Sequence, residues 1–144
     1  MVTSRNGRDE RVAASKILPQ PEIEPFRGNR DELISAVRDA LYASKIVSYA
    51  QGMELLGAAS KEFAWNLNFG DIATIWRGGC IIRAKFLNRL VEAYARDPAL
   101  HNLLLDSYFT GIIRKTQHHW RIAVATAIDQ GVAVPAGSAS LGYF

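Results

Sequence analysis

The 144-residue sequence predicts an all-α fold. Apolar residues recur at helical spacing over long stretches, and no stretch shows the sustained two-residue alternation of strands joined by hairpin turns. Glycine, proline and asparagine fall mainly between the periodic stretches, as punctuation does in a helical domain. No unit of 20–50 residues repeats, which argues against a solenoid.

Residues 1–28 read as a short helix and a connector. ERVAASKIL has room for about two helical turns. Pro19, Pro21 and Pro25, followed by Gly28, favour an extended chain over 18–28. Residues 29–144 read as the helical domain. Asn29 is a good N-cap, with Glu32 at capping-box spacing. From there to about Phe63, Leu33, Val37, Ala40, Leu41, Ile46, Val47, Ala50, Met53 and Leu56 recur at helical intervals. Such a helix is about 50 Å long at roughly 1.5 Å per residue. Gly52 and Gly57 are places where it could bend.

WNLNFGD, Trp65–Asp71, reads as a turn in which Asn66, Asn68 and Gly70 accommodate non-helical backbone. Asp71 can cap the following IATIW, and Arg77-Gly78-Gly79 interrupts it. A further helix is predicted from about Cys80 to Arg96, with Ile82, Phe86, Leu90 and Tyr94 in one row and Asp97-Pro98 as its stop. Residues 99–106 are expected to form a short helix. Ser107–Gln130 forms a longer one with a stripe of Phe109, Ile112, Ile113, Thr116, Trp120, Ala123, Val124, Ala127 and Ile128. Gly131 suits the position after its end, and the run after Pro135 starts another helix. The short charged start and the helix still running at Phe144 lead us to expect that the domain is incomplete at both ends.

Hydrophobic residues make up 49% and charged residues 22%, an ordinary globular composition. A formal charge of +3 is too mild to imply nucleic acid. Cys80 is the only cysteine, which excludes an intramolecular disulfide and a multi-thiolate metal site. No apolar stretch is long enough for a transmembrane helix, and the first residues lack the apolar core of a secretory signal. The expectation is a cytoplasmic protein without membrane or nucleic-acid partners.

Candidate chemistry is sparse. Neither the dinucleotide-binding glycine pattern nor the P-loop occurs. Tyr42 and Lys45 resemble the Tyr/Lys pair of short-chain dehydrogenases, but their spacing is three where that family needs four, so a structural role is preferred. His118 and His119 are adjacent on a helix, point about 100° apart and do not share a metal. Cys80 at a helix start could be reactive, yet packing is the commoner role of a lone cysteine. Arg77, Arg83, Lys85, Arg89 and Arg96 against Glu92 give a local charge of +4, the best case for an anion. The apolar residues among them are too many for a groove-reading face. The stronger signal is helix stripes wider than one small domain covers, which point to helix-on-helix association.

ALYASKIVSYAQGMELL (40–56), WNLNFGDIATIWRGGCIIRAKFL (65–87) and NLLLD (102–106) resemble the helical C-terminal domain of decarboxylating 6-phosphogluconate dehydrogenase. The likeness runs from about Asp9 to the last residue, and VPAGSASLGYF resembles the family's continuation. The resemblance implies an NADP-dependent oxidoreductase of the pentose phosphate pathway. It oxidises 6-phosphogluconate at C3, loses CO₂ and releases ribulose 5-phosphate. The family's general-base lysine, general-acid glutamate, Lys-Gly-Thr-Gly-x-Trp signature and phosphate-binding arginine all match upstream of this chain. So does its N-terminal Rossmann domain, which binds NADP. The tail arginine and histidine that reach the partner subunit match beyond Phe144. The resemblance therefore carries over no catalytic, cofactor-binding or metal residue. It implies a piece that supplies scaffold and homo-oligomer contacts and is inactive alone, with Arg77 and Arg83 fixing helix ends or pairing with acids. The alternative is a non-catalytic helical module that pairs with full-length subunits.

Overall fold

The computed structural model describes residues 7–19, 22–78 and 84–144, and every regular element among them is helical. Helix α1 (Arg8–Ile17) buries no residue. The chain then runs through irregular backbone over 22–29, tied to the far end of the domain by Gln130 Nε2 donating to the Glu24 carbonyl at 3.1 Å. Cys80 and Arg83, both candidates from the sequence reading, and Ile82 of the predicted row lie outside the described residues.

Helix α2 (Arg30–Glu62) begins where the Asn29 carboxamide accepts the backbone N–H groups of Asp31 at 2.9 Å and Glu32 at 3.2 Å. Two of the orphan donors of a first turn are thereby satisfied. The helix passes through Gly52 and Gly57 without a break. Each glycine costs about 1 kcal/mol in a helix interior. Burial of Ile46, Val47, Ala50 and Met53 along the same helix offsets that cost.

The end of α2 stores strain. Ala64 has φ 52°, and the N–H of Trp65 returns to the Ser60 carbonyl at 2.9 Å. This left-handed position ordinarily takes glycine. An alanine there costs about 1–2 kcal/mol, and the greater freedom of glycine in the unfolded chain cancels part of the gain on relief. Ala64→Gly is therefore expected to stabilise the domain by about 0.5–1 kcal/mol, raising Tm by roughly 2–3 °C. A fall in Tm would contradict this account of the turn.

Helix α3 (Phe69–Trp76) is capped by Asn68, whose side chain accepts the Asp71 N–H at 3.2 Å. The expected cap was Asp71, but that residue sits inside the first turn, where its negative charge suits the helix dipole. Helix α4 (Phe86–Arg96) starts later than the predicted Cys80, since Ala84 and Lys85 are not helical. Its row Phe86, Leu90 and Tyr94 is buried. In place of a helix over 99–106 there is one 3₁₀ turn, Leu103–Leu105. Three polar side chains prevent more. Asp97 accepts the Ala99 N–H and Asn102 the Leu104 N–H, while Asp106 adopts extended backbone to cap the next helix.

Helix α5 (Ser107–Asp129) ends in a Schellman motif. Val132 N–H bonds the Ala127 carbonyl at 2.7 Å and Gly131 N–H the Ile128 carbonyl at 3.0 Å, with Gly131 at φ 64°. Helix α6 (Pro135–Tyr143) carries its proline in the first turn. The core forms where α2 packs along α5, with the 3₁₀ turn and α6 covering parts of both. Helices α3 and α4 make a second pair. It joins the first through Phe86, whose ring lies 4.9 Å from Tyr49, 5.7 Å from Phe109 and 6.1 Å from Tyr42.

Candidate functional site

An apolar groove of about 580 Å³ opens between α2, α5 and α6. Val37, Ala40 and Leu41 of α2 form one wall, and Val124 and Ala127 of α5 the other. Val132, Val134 and Ala136, which follow the Schellman turn, close the end. Trp120 lies buried at the groove and stacks on Phe144 with ring centroids 6.2 Å apart. Polar side chains lining it are few: Ser44, Lys45, Ser48 and Ser140.

The sequence put Val37 and Leu41 at helical intervals along α2 and Ile128 on the stripe of α5, and the structure exposes all three. Leu41 is 72% exposed and Ile128 61%. Small residues explain the difference. Ala36, Ala43 and Ala50 let α2 approach its neighbours closely, so the larger Val37 and Leu41 fall on the other side of the helix, along the groove. An uncovered leucine of that size beside a concave apolar wall marks a surface that gains free energy when a partner covers it.

The other candidates resolve into structural roles. Tyr42 and Lys45 do not form a proton-transfer pair. The Tyr42 hydroxyl lies 3.3 Å from that of Tyr108, and the Lys45 ammonium sits 5.0 Å from the Phe86 ring centroid. Burial and the Tyr108 hydrogen bond push Tyr42 up to about 12, the opposite of an activated phenol. His119 Nδ1 lies 2.6 Å from Asp39 Oδ2 and ties α5 to α2, while His118 and His101 are exposed. The rings of His118 and His119 are 6.4 Å apart. No group of three potential metal ligands occurs among the described residues. Of the basic stretch, Arg96 donates to Asp106 at 2.7 and 3.1 Å, and Arg89 to Glu92 at 2.8 Å. Arg77 takes the C-cap of α3 and has no acidic partner among the described residues, which supports only the helix-end half of its expected role.

Sequence reasoning missed Asp106. Its Oδ1 accepts the N–H groups of Tyr108 at 3.0 Å and Phe109 at 3.4 Å, while Oδ2 accepts both Arg96 bonds. The available signal was an acidic residue immediately before the Ser107 helix. Tyr143, also unforeseen, donates to Glu54 at 2.6 Å and accepts from Asn102 at 2.9 Å, pinning α6 to α2.

Long helices joined by side-chain caps, with an apolar groove along their flank, define an all-helical domain. The chain belongs to the family described as 6-phosphogluconate dehydrogenase, C-terminal domain, whose sequence profile matches residues 2–144. It is 53% identical over 137 residues to the NADP(+)-dependent, decarboxylating 6-phosphogluconate dehydrogenase of Bacillus subtilis, covering 95% of this chain and 29% of that protein. Over 135 residues it is 56% identical to the decarboxylating 6-phosphogluconate dehydrogenase of Synechococcus elongatus, covering 94% and 29%. The solved 6-phosphogluconate dehydrogenase of Plasmodium falciparum superposes with a TM-score of 0.90 at 38% identity, over 99% of this chain and 30% of that one. The chain thus spans less than a third of the length of these relatives.

Proposed function

We propose that this chain supplies the helical scaffold and subunit contacts of an NADP-dependent, decarboxylating 6-phosphogluconate dehydrogenase. The complete enzyme converts 6-phosphogluconate to ribulose 5-phosphate and CO₂ in the cytoplasm and works as a homo-oligomer joined through its helical faces. The groove along α2 and α5, with Leu41 uncovered on its wall, is the observation that carries the scaffold assignment. The relatives named above support the reaction.

The groove and the capped N-termini of α2, α3 and α5 do not fit NADP. A dinucleotide phosphate needs cationic or N–H donors around its pyrophosphate, ordinarily a glycine turn between a strand and a helix. Here the elements are helices alone, the N-termini of α2, α3 and α5 are occupied by Asn29, Asn68 and Asp106, and the groove is mostly apolar. We therefore assign hydride transfer and the acid–base steps to other parts of the enzyme.

The 144-residue chain incubated with 6-phosphogluconate and NADP is expected to form no NADPH, followed by absorbance. Turnover above the enzyme-free rate would overturn the assignment. The same exposed groove favours a second reading, a module that pairs with complete subunits. Adding the chain to intact enzyme would then lower activity in proportion to the chain added, whereas unchanged activity would contradict it.

A further inference from the structure

Lys85 and Arg89, read from the sequence as part of one basic stretch, meet a third cation from a different helix. Lys45 of α2 joins them around a cavity of about 370 Å³, lined also by Tyr42, Tyr108 and Phe86. Among the described residues no carboxylate lines this cavity. Neither Lys45 nor Lys85 has an ion-pair partner among the described residues. Arg89 pairs with Glu92 at 2.8 Å, but both side chains are nearly half exposed, so that pair holds Arg89 only weakly.

Aromatic faces position two of the cations without neutralising them. The Lys45 ammonium lies 5.0 Å from the Phe86 centroid, and the Arg89 guanidinium 5.0 Å from that of Tyr108. The hydroxyls of Tyr42 and Tyr108 are 3.3 Å apart, so one donates to the other and the accepting phenol keeps its own proton to donate.

We propose that this cavity binds a phosphate group, held by Lys45, Lys85, Arg89 and a phenol hydroxyl. Three cations converge from two directions, with Glu92 offsetting one of them, which matches a dianion. A tetrahedral phosphate presents terminal oxygens in several directions, whereas a carboxylate presents two in one plane. Inorganic phosphate and a small phosphate monoester share this chemistry, and the volume leaves room for a small organic group. The site shares Lys45 with the groove but uses none of its apolar walls, so phosphate binding and association are read by separate measurements.

The test is calorimetric titration of the 144-residue chain at constant ionic strength, with inorganic phosphate in one arm and glycerol phosphate in the other. Saturable binding is expected. Lys45→Gln and Lys85→Gln should each weaken it about tenfold, the worth of one charge-assisted hydrogen bond. Arg114→Gln, on a different cavity of α5, should leave it unchanged. Lys85 is exposed and not helical, so its variant keeps the fold, as helical circular dichroism would verify. Tighter binding of glycerol phosphate identifies a monoester, and equal binding identifies the phosphate group alone; both support the site. Heats no larger than those of chloride, or an equal loss in Arg114→Gln, would overturn it. So would binding of duplex DNA that phosphate fails to displace.

Discussion

Replacing Trp120 by alanine is expected to destabilise the domain by about 3–5 kcal/mol, the largest loss from any single side chain. Trp120 is fully buried and the largest such residue, at the place where α2, α5 and α6 surround the head of the groove. Alanine would leave a cavity that these helices cannot close, because caps and turns at their ends fix their spacing. The indole also carries a buried Nε1–H with no hydrogen-bond partner among the described residues. An unsatisfied donor costs about 1–3 kcal/mol, so Trp120→Phe removes a penalty while it removes volume. The phenylalanine variant should therefore lose much less than the alanine variant, about 1–2 kcal/mol by urea unfolding. Equal losses in the two variants would show that the indole nitrogen is satisfied and that the packing account of this position is wrong.

The second large effect is expected at Asp106. One carboxylate, 7% exposed, caps α5 and receives two bonds from Arg96, so it ties the end of α4 to the start of α5. Loss of an N-cap costs about 1 kcal/mol. The ionic bonds add about 1–2 kcal/mol after allowance for the half-exposed arginine. Asp106→Ala should thus lose about 2–3 kcal/mol. Asp106→Asn keeps an oxygen for the cap and gives up the charge, so it should fall between alanine and the native protein. Thermal unfolding at low and high salt separates the two contributions. Only the Arg96 contribution should shrink with salt, and a salt-independent difference between Asn and Asp would contradict the division.

Elements whose signals are local were legible. The Asn29 cap, the length of α2, the end of α5 at Gly131 and the buried Phe109 and Trp120 all follow from spacing and cap chemistry within a few residues. What escaped depends on which faces meet. Val37 and Leu41 belong to a helical stripe, but only the approach of neighbouring helices to the alanines of α2 decides that they stay uncovered. The predicted helix over 99–106 shrank to one turn because Asp97, Asn102 and Asp106 use their oxygens on nearby backbone. The phosphate cavity was half visible. Lys85 and Arg89 are neighbours in sequence, whereas Lys45 joins them only through the aromatic contact of α2 with Phe86. Side chains from distant segments meet where packing brings them together, and no periodicity along the chain records that.

The scaffold role rests on the groove being a surface for association. The most direct test is the mass of the 144-residue chain in solution, measured by light scattering behind size exclusion, beside that of Leu41→Asp. The chain is expected to self-associate and elute well above its single-copy mass of 15.9 kDa. Leu41→Asp, which buries a charge in any partner seated there, should return it to that mass with its helical content intact. A native chain that stays at 15.9 kDa at high concentration, or an aspartate variant that associates as strongly, would contradict the account.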